Sequence, residues 1–436
     1  MRSQNASILV GLLWCLALLS VVVVGVLHTS RMDLLVVKNS NDRIQAHYLA
    51  LAGIERAKAL LYHDYLTRQQ TAKNHTGDLY DDAKDFEDVT FGRGHYRIFR
   101  RARSDEGGGL IYGVSDEESQ LNANTAFAGE LTNIDGLTPD IAASILAWRS
   151  DAGQGVTGDD GIAGGAEDDY YASLQPPYVP RHGPFQTVRE LLLVRGVTRE
   201  ALLGNDVNQN DVLDSGEGQG DDSAASMDGG WSAILTVNSA EKNINAAGKA
   251  RVNVQTADES GLTSIQGISR DIARAIIAYR GQNQLQSIVD LLDVTNTTPS
   301  GGGSSGKNVI DEQLFMQIAD DITTTDDTDM AGMININTAG IDVLACLPGM
   351  DRVLAQAIIS HRKSSGYFAN IGELLRVSGM THDIFKQIAP LITARSETFR
   401  ITSEGKINST GARQRVQAII HIASHEVITL GYREDL

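Results

Sequence analysis

One pattern occurs three times and fixes most of what this chain can fold into. Leu121-Asn122-Ala123-Asn124-Thr125-Ala126 returns as Val252-Asn253-Val254-Gln255-Thr256-Ala257 and as Ile334-Asn335-Ile336-Asn337-Thr338-Ala339. In every copy a glycine stands 11 residues after the threonine (Gly136, Gly267, Gly349), and an arginine 13 residues after that glycine (Arg149, Arg280, Arg362). Between glycine and arginine, apolar residues recur at helical spacing: Ile141, Ile145 and Leu146; Ile272, Ile276 and Ile277; Leu354, Ile358 and Ile359. A fixed internal period outranks local propensity in reading architecture. The middle of the chain is therefore expected to hold three related α-helical modules.

The third copy shows the expected construction. Thr338 is placed as an N-cap, opening a helix with Ile341, Leu344 and Ala345 on one face. Leu347-Pro348-Gly349 ends it, the glycine supplying a positive φ for a tight hairpin. A second helix is expected from about Asp351 to His361. Gly366-Tyr367-Phe368 breaks it, and Ile371-Gly372-Glu373-Leu374-Leu375 starts a third short helix ending near Gly379. Copy one repeats this ending with Phe185, Glu190, Leu191, Leu192, Val194 and Gly196, and copy two with Leu285, Asp290, Leu291, Leu292 and Val294. Each copy describes a helix-hairpin-helix unit marked by Asn124, Thr125 and Gly136, by Thr256 and Gly267, or by Asn337, Thr338 and Gly349. Such units bind DNA or serve as structure. The arginines at 149, 280 and 362 are expected to pair within their own module.

The N-terminal end carries a second strong constraint. Ile8 to Leu27 is a run of 20 residues without a charge, enough to cross a hydrocarbon core of about 30 Å. Arg2 and the α-amine precede it, so the N-terminus is expected in the cytoplasm and the remainder exported. A cleaved secretory signal fits less well, because such a core is about 7–15 residues long with a small-residue cleavage site, and His28-Thr29-Ser30-Arg31 is a poor one. Ile44, Tyr48, Leu51, Ile54 and Leu61 continue at near-helical spacing with no proline before Pro139. The membrane helix should run on as an amphipathic helix to about Leu61 or beyond.

A long helix, half in lipid and half on a soluble body, resembles a type IV pilin or pseudopilin. Met1-Arg2-Ser3-Gln4-Asn5-Ala6 ahead of Ser7-Ile8-Leu9-Val10 resembles a leader cut by prepilin peptidase between Ala6 and Ser7. Ala6 stands where glycine is usual, and Gly11 where most pilins have glutamate. With Gly165-Ala166-Glu167-Asp168-Asp169-Tyr170-Tyr171, with Pro184-Phe185 followed by Val188-Arg189-Glu190-Leu191, and with the strand-like ending Thr398–Gly405, Val416–Ala423 and Val427–Leu430, the chain resembles the minor pseudopilin K of type II secretion (the GspK family). The resemblance implies an α+β fold. A pilin-type helix packs on a small antiparallel sheet that carries a large inserted helical domain, here of three helix-hairpin-helix units. It implies a non-enzymatic tip subunit of the pseudopilus, where the missing glutamate is normal. It also implies the minor pseudopilins I and J, the major pseudopilin, the inner-membrane secretion platform and prepilin peptidase as partners.

The expected division is a leader (1–6), the pilin-type helix (7–66), a first part of the sheet (67–118), unit one with an acidic insertion (119–204), and a linker with a strand (205–249). Unit two with its Gly/Ser loop (250–329), unit three (330–396) and the returning strands (397–436) follow. Trp231 to Val237 is read as a short strand. The two cysteines, Cys15 and Cys346, cannot meet, so a cation is the expected staple for exported acidic loops. Asp206-Val207-Asn208-Gln209-Asn210-Asp211-Val212-Leu213-Asp214-Ser215-Gly216-Glu217 matches a calcium loop of the EF-hand type. Asp206, Asn208, Asn210, Asp214 and Glu217 are side-chain ligands and Val212 a carbonyl ligand. Asp211 takes the sixth place, usually glycine. A second, looser cluster is Asp159, Asp160, Glu167, Asp168 and Asp169.

No His-Glu-x-x-His or Walker loop occurs, the one Gly-x-Ser-x-Gly match, at residues 302–306, falls within the Gly/Ser loop rather than on a strand-to-helix turn, and His421 and His425 lie in a strand-like segment, so neither a hydrolase nor a zinc site is indicated. The alternative is a membrane-anchored DNA-binding protein of the competence-receptor type, whose hairpins resemble Leu347-Pro348-Gly349-Met350. With 37 basic against 55 acidic residues, the chain would repel a phosphate backbone. Only Arg352 stands directly at a hairpin, so nucleic acid is not the expected partner.

Overall fold

The computed structural model describes residues 4–74, 81–150, 168–212, 228–295 and 308–434. Helix α1 runs unbroken from Gln4 to Thr71, past Leu61 and containing Ala6 and Ser7. From Leu9 to Asn41 every residue is exposed. This stretch is long and apolar enough to cross a membrane, with a mean hydropathy of 2.8 over its best window. From Asp42 the helix buries Ala46, Leu49, Ala50, Ile54, Ala57, Leu61 and Tyr65, at steps of three and four residues.

Strands β1 (Val89–Phe91), β2 (Gly94–Arg101), β3 (Leu110–Ile111) and β4 (Ser115–Asp116) follow. The modules come next, each closed by a parallel two-residue pair. In module one β5 (Leu121–Asn122) meets β6 (Leu235–Thr236). Outside the modules, β7 (Ala240–Lys242) pairs antiparallel with a later strand, β10 (Asp329–Ala331). In module two β8 (Val252–Asn253) meets β9 (Ile322–Thr323), and in module three β11 (Ile334–Asn335) meets β12 (Ile392–Thr393). Parallel pairing needs a crossover connection, which the helices of each module supply. The chain then returns as β13 (Thr398–Ile407), β14 (Arg413–Ile422) and β15 (Val427–Arg433). The main sheet has the order β1-β2-β13-β14-β15, with β3 on β2 and β4 on β13. The helical domain is thus inserted between β4 and β13, and the sheet strands that flank it pair directly.

α1 lies across one face of this sheet and antiparallel to β13, with Ala46 at Gly405, Gly53 at Ser403 and Arg68 at Glu397. The approach is close enough that a Cβ on Gly405 would overlap the backbone of Ala46 and Ala50. Two cores result. One joins α1 to the sheet through Ile54, Leu61, Tyr65, Ile98, Phe399, Ile401, Val416 and Ile420. The other runs through all three modules, with Leu131, Ile145 and Trp148, with Leu262, Ile276 and Phe315, and with Leu344, Ile358 and Phe385.

Several local expectations are corrected. Thr338 does not cap a helix; its hydroxyl bonds Asp116, and the cap of Ile341–Leu344 is Gly340. Phe127 and Asp258 hold that place in the other copies. The chain must first complete the turn after the short strand before a helix can begin. The second helix of copy three runs from Arg352 to Ser365, with Asp351 as its cap, and Ile371–Arg376 is a 3-10 turn. Trp231 lies in a 3-10 turn, Gly230–Ala233, because its indole turns inward to donate to the carbonyl of Asp135; only Leu235 and Thr236 are strand.

Candidate functional site

The repeated residues hold each module shut by the same bonds. Arg149 donates to the carbonyls of Ala123 and Ala126, Arg280 to those of Val254 and Ala257, and Arg362 to those of Ile336 and Ala339. A planar guanidinium suits two acceptors three residues apart. The first asparagine of each motif accepts from the backbone two residues on: Asn122 from Asn124, Asn253 from Gln255, Asn335 from Asn337. The second bridges distant segments. Asn124 donates to the carbonyls of Phe185 and Val237 and accepts from the amide of Phe185. Asn337 does the same with Phe368 and Ala394. Gln255, in the worn copy, retains one such bond, to the amide of Leu285. The motif is thus the clasp of a folded unit.

The hairpin glycines adopt the expected conformation, with φ of 79° at Gly136, 104° at Gly267 and 69° at Gly349. Modules one and three also hold a second hairpin where a helix end is expected. Val194-Arg195-Gly196-Val197-Thr198 copies Ile134-Asp135-Gly136-Leu137-Thr138, with the same i to i+3 backbone bonds and φ of 86° at Gly196. Val377 to Thr381 repeats it around Gly379, at φ 92°. The signal was present in this internal likeness. Basic side chains at the hairpins face acids: Arg352 lies 2.9 Å from Asp342 and 3.7 Å from Asp135, Arg195 meets Asp140, and Arg274 meets Glu259. Lys363 reaches the backbone and carboxylate of Asp105.

The calcium-loop-like segment is described from Asp206 to Val212; Asp214 and Glu217 lie outside the described residues, as do Asp159, Asp160 and Glu167. Asp206 is 3% exposed and its two carboxylate oxygens accept from the amides of Asn210 and Asp211. Burial and the nearby Asp211 raise its pKa. Asn208 accepts from Asn210, and Asn210 from Val212. Asp211 has φ 64°, the left-handed conformation required at the sixth loop position, and Gln209 has φ 57°. Arg189 and Arg433 donate to the carbonyls of Val207 and Asn208, tying the loop to module one and to β15. Asp168 and Asp169 start the helix Asp168–Ala172, and Asp168 pairs with His182. Among the described residues there is no group of three His, Cys, Asp or Glu placed to hold a metal.

Sheet and modules join through a buried polar seam that the sequence did not disclose. Asp116 accepts from the side chains of Ser396, Thr338 and Asn335. Glu118 accepts from the amide of Thr398. Burial pushes the pKa of both carboxyls up, Glu118 well above the usual range with Asp116 adding to the effect. Arg395 bonds Glu241 at 2.6 Å and Asp320 at 3.0 Å, while Arg68 of α1 meets Glu397 at 3.4 Å.

Two family models match the chain: "Type II secretion system (T2SS), protein K" over residues 114–203 and "Helix-hairpin-helix motif" over 248–300 and 330–393. Among curated relatives, the mouse "Endonuclease/exonuclease/phosphatase family domain-containing protein 1" is 27% identical over 30% of this chain and 26% of its own length. The "ComE operon protein 1" of Bacillus subtilis is 35% identical over 14% of this chain and 31% of its own. The chain thus spans about a third or less of the curated relatives it matches. Among solved structures, "The Crystal Structure of the GspK-GspI-GspJ complex from enterotoxigenic Escherichia coli Type 2 Secretion System" aligns over 89% of this chain and 97% of that one, at a TM-score of 0.42 and 11% identity. The chain thus carries a type II secretion protein K domain at residues 114–203, followed by helix-hairpin-helix motifs at 248–300 and 330–393.

Proposed function

We propose that this chain is a minor pseudopilin, a non-enzymatic tip component of the type II secretion pseudopilus that supports protein export across the outer membrane. One observation carries the reading: a single helix whose apolar first half is exposed and whose second half is buried on a sheet into which the protein K domain is inserted. In this reading α1 anchors the chain once in the inner membrane, N-terminus in the cytoplasm, and the body stands in the periplasm. Prepilin peptidase cuts between Ala6 and Ser7, and the partners are the minor pseudopilins I and J, the major pseudopilin and the secretion platform. Deleting the gene in its host should leave type II cargo in the periplasm, and supplying the chain again should restore export. Normal export in the deletion strain would overturn the reading.

The left-handed backbone at Asp211 and the buried Asp206 support calcium in the loop, with Asp206, Asn208, Asn210, Val212, Asp214 and Glu217 as its ligands. A cation bound only by the folded state adds about 2.7 kcal/mol at a hundredfold excess over Kd. The protein should melt higher in calcium than in chelator, and Glu217→Ala should remove most of the difference. An unchanged wild-type melt refutes the site. A shift surviving that substitution moves it to the cluster at Asp159, Asp160, Glu167, Asp168 and Asp169.

The helix-hairpin-helix matches support the alternative, a membrane-anchored DNA-binding protein. The acid-paired Arg352 and the carbonyl-bound repeat arginines weigh against it. Titration with duplex DNA should show only weak association. Tight, salt-sensitive binding lost on changing Arg352 and Lys363 would favour the alternative.

A further inference from the structure

The face of the sheet opposite α1 breaks a pairing rule at one end. Ser403 and Gly405 point at α1, so Glu404 and Lys406 point away from it. Register then sets Arg97, Glu404 and Arg415 side by side across β2, β13 and β14, and His95, Lys406 and Arg413 in the next row. The first row holds an acid at its centre: the buried carboxylate of Glu404 lies 2.9 Å from Arg97 and 2.8 Å from Arg415. The second row contains no acid. Lys406 and Arg413 stand directly opposite each other, an arrangement that costs stability. Arg413 is 52% exposed and reaches Glu404 only at 4.0 Å. Arg93, in the adjacent turn, is 58% exposed and 3.9 Å from the buried Asp42. His95 is held by Asn408 and Asp88. A cationic rim on a chain of net charge −18, kept at a cost to the sheet, is a feature with a use outside the fold.

Its place says what kind of partner it faces. Because α1 runs antiparallel to β13, this row lies at the end of the body nearest the apolar span. Residues 28–41 separate that span from Asp42, a rise of about 21 Å of helix. All of them are exposed, and they include Leu34-Leu35-Val36-Val37. Four successive apolar residues at helical steps leave no polar side, so water or headgroups on any side are unfavourable. A headgroup layer is only about 6 Å deep on each side of a bilayer, too thin to fill the gap beneath an upright helix. A protein layer is not.

We propose that the rim formed by Arg93, Lys406 and Arg413 docks the acidic surface of a neighbouring protein that fills the gap beside residues 28–41. The inference rests on the pseudopilin reading, which supplies such neighbours. The full-length chain in nanodiscs is mixed with minor pseudopilins I and J, and assembly is measured at low and high salt, with and without anionic lipid. The double variant Lys406→Glu, Arg413→Glu should weaken assembly about tenfold at low salt and flatten its salt dependence. Lys406→Gln with Arg413→Gln should weaken it less while melting no lower than wild type, since a like-charge contact is removed. If the wild type assembles and the reversal changes nothing, the docking surface is wrong and the pseudopilin reading stands. If the reversal acts only where anionic lipid is present, the rim serves the membrane and the proposal is overturned. If the wild type fails to assemble with either partner, both readings fall.

Discussion

Replacing Arg280 by methionine tests whether the repeat motif is a clasp. The guanidinium donates at 2.7 Å to the carbonyl of Val254, a residue with no exposed surface, and at 2.6 Å to that of Ala257. Bonds from a charged donor contribute about 1.5–3 kcal/mol each, and methionine leaves both acceptors unpaired. The expected loss is about 3–5 kcal/mol, since the methionine stem keeps the packing. At about 2–4 °C per kcal/mol for a lobe of this size, the module transition should fall by roughly 6–20 °C in a calorimetric scan of the solubilised chain. Arg280→Lys is the discriminating variant. A point charge on a flexible stem cannot bridge two carbonyls as a planar fork does, so it should recover about half the loss. A lysine variant melting with wild type, or a methionine variant within about 2 °C of it, would refute the clasp.

Two further outcomes follow from the same geometry. Gly405→Ala drives a methyl into the backbone of Ala46 and Ala50; overpacking costs about 1–3 kcal/mol or more, and proteolysis should release α1 from the sheet sooner than in wild type, whereas Gly129→Ala, with open space around it, should not loosen α1. Glu118 titrates above the usual range in the fold, so the folded state holds a proton that the unfolded chain releases. This contribution to stability is present below about pH 4 and is lost as pH rises toward the raised folded value. Glu118→Gln should therefore gain on wild type as pH is raised through that window in chemical denaturation, and a constant difference between them would refute the buried proton.

How far the sequence disclosed this molecule depended on the range of each interaction. The three modules were legible because their closing bonds are repeated side chains at fixed separations, as with Arg149, Arg280 and Arg362. α1 was legible from apolar spacing and the absence of proline. Thr338 was misassigned because its partner is Asp116, more than two hundred positions away, and no local pattern discloses such a bond. The seam around Asp116, Glu118 and Arg395 was hidden for the same reason. Its burial follows from threading β13 back beside β2 and β4. The cationic row was hidden too, because it exists only once the register of β13 against β14 is known. The second hairpins, by contrast, were written in the chain at Val194 to Thr198.

In the proposed function α1 is a pilin-type helix, made with a leader and anchored through its apolar start. Intact-mass measurement of the chain extracted from the membranes of its host tests this most directly. A mature polypeptide beginning at Ser7 is expected. A chain beginning at Met1, or one cut near Ser30 and released from the membrane, would contradict it.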